Sequence, residues 1–196
     1  MLTALSEAVK RHLQTALVLA LCSVPLQCAT LERLSLNDMI SQSAAIIRGK
    51  VTGSYAAFGG TTASPVIYTH YSVQVSEWLK GSGGNTVDLA VPGGIVNNVR
   101  QTFSGSPTFK MGDECVFFLW TSKAGMTQVI GLTQGLFSLA QDGSADPMAT
   151  RSPSNELMLD RTTGQPVKDQ QLLMHLSELR SAISTTLGTH AQTGVK

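Results

Sequence analysis

Apolar and polar positions alternate with a period of two along much of this chain, the mark of strands with one buried and one wet face. The pattern predicts a first strand over residues 45–54, where Ile47, Gly49 and Val51 alternate with Arg48, Lys50 and Thr52. Gly49 in mid-strand predicts a bulge or strong coiling. Residues 55–65 are rich in small residues and read as a loop or as the tip of a long hairpin. A second strand is expected over 66–78, with Tyr71, Val73 and Val75 on one face and His70, Ser72, Gln74 and Ser76 on the other. A third, over 86–91, turns Val87, Leu89 and Val91 inward and stops at Pro92-Gly93-Gly94. Residues 95–108 fit a twisted hairpin arm or a long loop. The run over 114–121 is apolar on both faces and so predicts a central strand. After a turn at 122–125 comes a fifth strand over 126–132, which bends at Thr133-Gln134-Gly135 and continues over 136–140.

Helical spacing marks the two ends of this β region. Residues 31–43 predict a short helix, with Ser35 as N-cap, Asp38 in the first turn, and Leu36, Met39 and Ile40 on one face. Residues 169–188 predict an amphipathic C-terminal helix: Asp169 would cap it, Leu172, Leu173, Leu176, Leu179, Ile183 and Leu187 recur at helical spacing, and Gly188 would stop it. Between lies a turn-rich hairpin or linker, 141–168, with one short strand over 156–159. The end, 189–196, reads as a disordered tail. Residues 1–29 look like an export signal. Lys10, Arg11 and His12 precede an apolar stretch over 15–24 that is short of the ~20 residues a membrane span needs. Cleavage near 28–30 would leave a secreted or periplasmic chain with no membrane span. Lipid anchoring through Cys28 is a lesser alternative, because Gln27 is not the small residue that signal wants.

Composition narrows the function. Charged residues make up 14% of the chain and the formal net charge is +1, so no basic excess favours nucleic acid, whose binding rests on neutralising phosphates. Cys115 sits in an apolar run and reads as a buried free thiol rather than as half of a disulfide with Cys28. No Cys-x-x-Cys pair, no clustered metal ligands and no nucleophile elbow occur. His70, His175 and His190 are scattered, and the expectation is a protein that is not an enzyme and uses no cofactor. The remaining clue is aromatic. Tyr55, Phe58, Tyr68 and Trp78, with His70, lie in or near the loops around the second strand, where aromatic anchors suit a protein or glycan partner.

Five strands, a first strand with a central glycine and a long second strand follow the order of an OB-fold, a small Greek-key barrel. The expected fold class is therefore mainly β, a five-stranded Greek-key OB-like barrel over 30–140 with a short N-terminal helix and a C-terminal amphipathic helix. A narrower likeness runs from Ser43 to Lys80. Ser-Ala-Ala-Ile-Ile-Arg-Gly-Lys-Val, then Tyr71-Ser-Val-Gln-Val, then Trp78-Leu-Lys-Gly resembles the netrin-like module of tissue inhibitors of metalloproteinases and related secreted domains. Gly105, Pro107, Phe109, Gly112 and Asp113 also resemble a motif of uncharacterised secreted bacterial proteins. The likeness implies an exported interaction module. Protease inhibition, which that family performs through an N-terminal cysteine, would require Cys28 as first mature residue, and the second cysteine of its motif is replaced by Thr30. A structural part of an envelope complex is a further alternative, marked by an uncovered apolar patch.

Overall fold

The run over 114–121 is the strand on which the molecule is assembled. The computed structural model describes residues 30–61 and 64–193. In chain order it comprises β1 (Thr30–Glu32), α1 (Leu36–Gln42), β2 (Ala45–Thr61), β3 (Ser64–Lys80), β4 (Thr86–Pro92), β5 (Gly94–Val96), β6 (Val99–Gln101), β7 (Glu114–Thr121), β8 (Thr127–Val129), β9 (Leu136–Leu139), β10 (Met148–Arg151), β11 (Leu157–Leu159), β12 (Pro166–Val167), β13 (Leu172–His175) and α2 (Leu176–Thr193). The fold is mainly β. Eight strands form one sheet in the order β13-β10-β9-β7-β2-β3-β4-β8, and a further pairing joins β8 back to β7. The pairings thus close a cycle, β7-β2-β3-β4-β8-β7. All its contacts are antiparallel except the parallel one between β4 and β8.

Alternation along β7 divides the interior in two. Cys115, Phe117 and Leu119 point into an inner core with Ile47, Val51, Tyr71, Val73, Leu89, Val91, Phe109 and Val129. Val116 and Phe118 point the other way, into an outer core with Met39, Ile40, Ile46, Phe137, Leu176, Leu179 and Ile183, where both helices pack. A strand apolar on both faces is what such a position demands. Along its second edge β7 carries β8 and then β9. They are one strand interrupted by a loop over 130–135, in which Gly131 and Leu132 adopt positive φ. That is the bend expected at residues 133–135. Gln134, 1% exposed in that loop, donates to Glu32 O at 2.9 Å and accepts from Leu34 N–H at 2.8 Å, pinning the segment that leads into α1.

Several expectations need adjustment. Of the two readings of residues 55–65, the long hairpin holds and the loop does not: residues 55–61 are the second half of a 17-residue β2, which pairs with an equally long β3 to form an arm. The helix expected over 31–43 starts later, at Leu36. Ser35 caps it in a full capping box with Asp38, and residues 30–32 pair with β11 instead. The segment 141–168 contributes β10 to the main sheet and β11–β12 to a small second sheet. The helix expected from 169 begins at Leu176. Asp169 does not cap it but holds Arg151 through two hydrogen bonds of 3.0 and 2.7 Å. Residues 172–175 are extended, with Leu172 and Met174 on the outer core and Leu173 exposed, because β10 offers them an edge. The role of cap passes to Asp146, which accepts from Ser177 N–H and Oγ. Gly188 does not stop the helix, which runs to Thr193. Cys28 and the expected export signal lie outside the described residues.

Candidate functional site

The outward surface of the cycle carries a row of side chains that the register sets side by side. Tyr55 pairs with His70, His70 with Ala90, and Trp120 with Gln128, while Leu89 lies beside Thr127 across the parallel seam. Their neighbours Tyr71, Leu89, Val91, Val129 and Leu119 point into the inner core. Strand alternation therefore turns Tyr55, His70, Ala90, Gln128 and Trp120 outward.

At one end of the row Trp120, 39% exposed, borders a cleft of about 490 Å³ lined also by Gln42, Ala90, Pro92, Pro107, Gln128 and Leu132. None of its lining residues is ionisable. A second cleft, of about 320 Å³, shares Val91, Pro92 and Pro107 with the first and is lined further by Tyr71, Arg100, Phe103 and Ser106. The Ser106 hydroxyl oxygen is buried and has no hydrogen-bond partner among the described residues.

At the other end the Tyr55 and His70 rings stack with centroids 4.8 Å apart and planes 8° from parallel. His70 Nδ1 lies 2.8 Å from Asp88 Oδ2, so the carboxylate and the Tyr55 ring together fix the imidazole. The His70 side chain is 18% exposed and that of Asp88 55%, so the His70 ring is sheltered rather than fully solvated.

The five aromatic and imidazole residues named from the sequence are only partly brought together. Tyr55, His70 and Tyr68 share the outward face of the arm. Tyr68 lies over Gly59, where a Cβ would come within 3.0 Å of its ring. Phe58 pairs with the buried Ile67 and so lies on the opposite face, 46% exposed. Trp78 is packed on the inner core and against Gly83, at the far end of β3. Trp120, Gln128 and Asp88 were not singled out from the sequence, and Pro92 and Pro107 were read only as a strand stop and as part of a motif, not as site residues. Trp120 belongs to a strand apolar on both faces, so alternation alone did not mark it as outward.

Cys115 is free and buried, with its thiol pushed up to about 12, chiefly by burial. Among the described residues no group of three or more His, Cys, Asp or Glu is placed to hold a metal ion. No described helix is long and apolar enough to cross a membrane. Comparison with protein-family models, with curated proteins and with solved structures finds no match to this chain.

Proposed function

We propose that this chain is an exported, non-enzymatic interaction module of OB, netrin-like type, which grips a protein or glycan partner across the outward face of β3, β4 and β8. The fold reading is supported by the pairing cycle. Taken in chain order, β2, β3, β4, β7 and β8 are neighbours in the order 1-2-3-5-4-1 with strands three and five parallel, the connectivity of a five-stranded Greek-key barrel of the OB kind. OB-folds bind ligands over strands two and three and their adjoining loops; of the row, His70 and Ala90 lie on strands two and three, flanked by Tyr55 on strand one and by Gln128 and Trp120 on strands five and four.

The observation that carries the functional reading is Trp120 beside an uncharged cleft walled by Ala90, Pro92, Pro107 and Leu132 and edged by the amides of Gln42 and Gln128. A flat aromatic ring with apolar walls and a few amides suits an uncharged, extended ligand. Capture of binding partners from the extracellular or envelope fraction, compared between the wild type and Trp120→Ala or Ala90→Arg, tests it. At least about a ten-fold loss of the captured partner is expected for both variants, as for a central aromatic anchor; equal capture by all three chains would sink this face as the site. Export is tested by the N-terminal sequence of the protein recovered from its host. A start near residues 29–31 supports a soluble exported chain, whereas an acylated Cys28 replaces it with a lipoprotein. A free Cys28 amine favours the inhibitor reading.

A further inference from the structure

Beyond residue 51 the outer edge of β2 loses its neighbour. Its pairing with β7 spans Ala45 to Lys50, and Val51 exchanges hydrogen bonds with Gly112 and Asp113. From Gly53 onward no strand lies on that edge among the described residues. The edge groups can be assigned. Ile67 donates its N–H to Gln101 Oε1 and accepts from Gly93 N–H, so its polar groups point away from β2. Its cross-strand partner Phe58 therefore turns its own N–H and C=O away from β3, toward the open edge. Ala56 and Ser54, at the same parity, do likewise.

Open edges are usually blunted by lysine, proline or a bulge. Residues 53–61 read Gly-Ser-Tyr-Ala-Ala-Phe-Gly-Gly-Thr, with no charge and no proline, and their register against β3 is unbroken from Gly53 on. The geometry points to a second copy of this chain as the occupant, added antiparallel edge to edge about a two-fold axis through Ala57. Electrostatics favours this choice, because across a two-fold axis any charge near the centre confronts its own copy, and this stretch carries none. The side chains fit as well. That register sets Tyr55 opposite Gly59 and Phe58 opposite Ala56 of the second copy, so each exposed aromatic meets a residue with little or no side chain. Ala56 and Phe58, both edge-facing, exchange two backbone hydrogen bonds across the seam. The outward face described above then continues from one copy to the next.

The test uses the full chain with Cys22→Ser and Cys28→Ser, since Cys115 is buried. At the two-fold centre the two Ala57 residues form a non-hydrogen-bonded pair, with Cα atoms about 4.5 Å apart, close enough for a disulfide. Ala57→Cys should oxidise to a covalent dimer, at least about ten times faster than Phe103→Cys, an exposed position away from the edge. Sedimentation velocity on the same background without either added cysteine should show a dimer that dissociates on roughly hundred-fold dilution. Ala56→Pro, which removes only an edge-facing N–H, should leave a monomer with unchanged circular dichroism. Cross-linking of Ala57→Cys no faster than of Phe103→Cys overturns the proposal. So does a monomer at every concentration, or Ala56→Pro dimerising as well as the parent chain. Binding of an unrelated extended peptide at this edge without self-association also refutes the second copy as occupant.

Discussion

Gly49 has no room for a methyl group. A Cβ there would stand 2.6 Å from Val73 Cγ1 and 2.8 Å from the Gln74 carbonyl oxygen, at a point where the β2–β3 register shifts. Gly49→Ala must push β3 away from β2 or distort the bulge. A loss of about 2 kcal/mol is expected, read as a lowered denaturant midpoint at unchanged slope. The buried pair of Arg151 and Asp169, with side chains 5% and 1% exposed, is the other residue-scale weak point. Burial works against the Asp169 carboxylate, but the Arg151 guanidinium and the Ser154 N–H outweigh it and hold its pKa below the ordinary value. A carboxylate with a depressed folded-state pKa contributes stability that is complete above its unfolded-state value, near 3.8. That contribution fades as pH falls through the lower native value. Urea titrations from pH 6 down to 2 should show a steeper acid loss in the wild type than in Asp169→Asn. Equal slopes would remove the pair from the acid response.

Among the elements, the loop over 130–135 does more than join β8 to β9. Through Gln134 it supplies two of the hydrogen bonds that hold residues 32–34, the lead-in to α1, beside the one that Arg33 N–H donates to Leu159 O. Gln134→Ala should cost about 2–3 kcal/mol, since two backbone groups lose their partner. It should also speed proteolysis near Arg33 while the far end of the arm is unaffected. How legible the elements were follows from what sets them. The run over 114–121 could be placed because its apolarity on both faces admits only a central strand, and Ser35 with Asp38 is a local cap that needs no tertiary partner. Residues 172–175 misled because Leu172, Leu173 and Leu176 fit helical spacing while Leu172, Met174 and Leu176 fit strand alternation. The choice was made by β10, whose four residues Met-Ala-Thr-Arg give little period of their own. At the site, Tyr55 and His70 were legible as aromatic and polar-face positions. The Asp88 contact was not, because only the β3–β4 register brings it diagonally to His70. Nor was the Trp120 cleft, which exists only where β4 and β8 meet.

For the whole molecule, the sharing of β7 by both cores decides how it comes apart. Neither core can open without losing Phe117 or Phe118, both fully buried, so the two should unfold in one step although one contains the helices and the other does not. Hydrogen exchange should be slowest at residues 115–119, with protection equal to the global stability. At concentrations low enough to keep the chain monomeric, the arm over 53–61, paired on one side only, should exchange fastest of the long strands. Two separated unfolding transitions, or faster exchange at β7 than at β3, would contradict the shared-strand picture.

The thiol of Cys115 sits at the start of that same strand, and burial has raised its pKa to about 12. Alkylation requires the thiolate, so in the native protein this sulfur is chemically silent; once the strand is exposed it reverts to an ordinary, reactive cysteine. With Cys22 and Cys28 replaced, the chain thus carries its own stopwatch. The rate at which iodoacetamide consumes the one remaining thiol should scale with the fraction of chains that are globally open, and so should track stability across the Gly49→Ala and Gln134→Ala variants, without any label having been added.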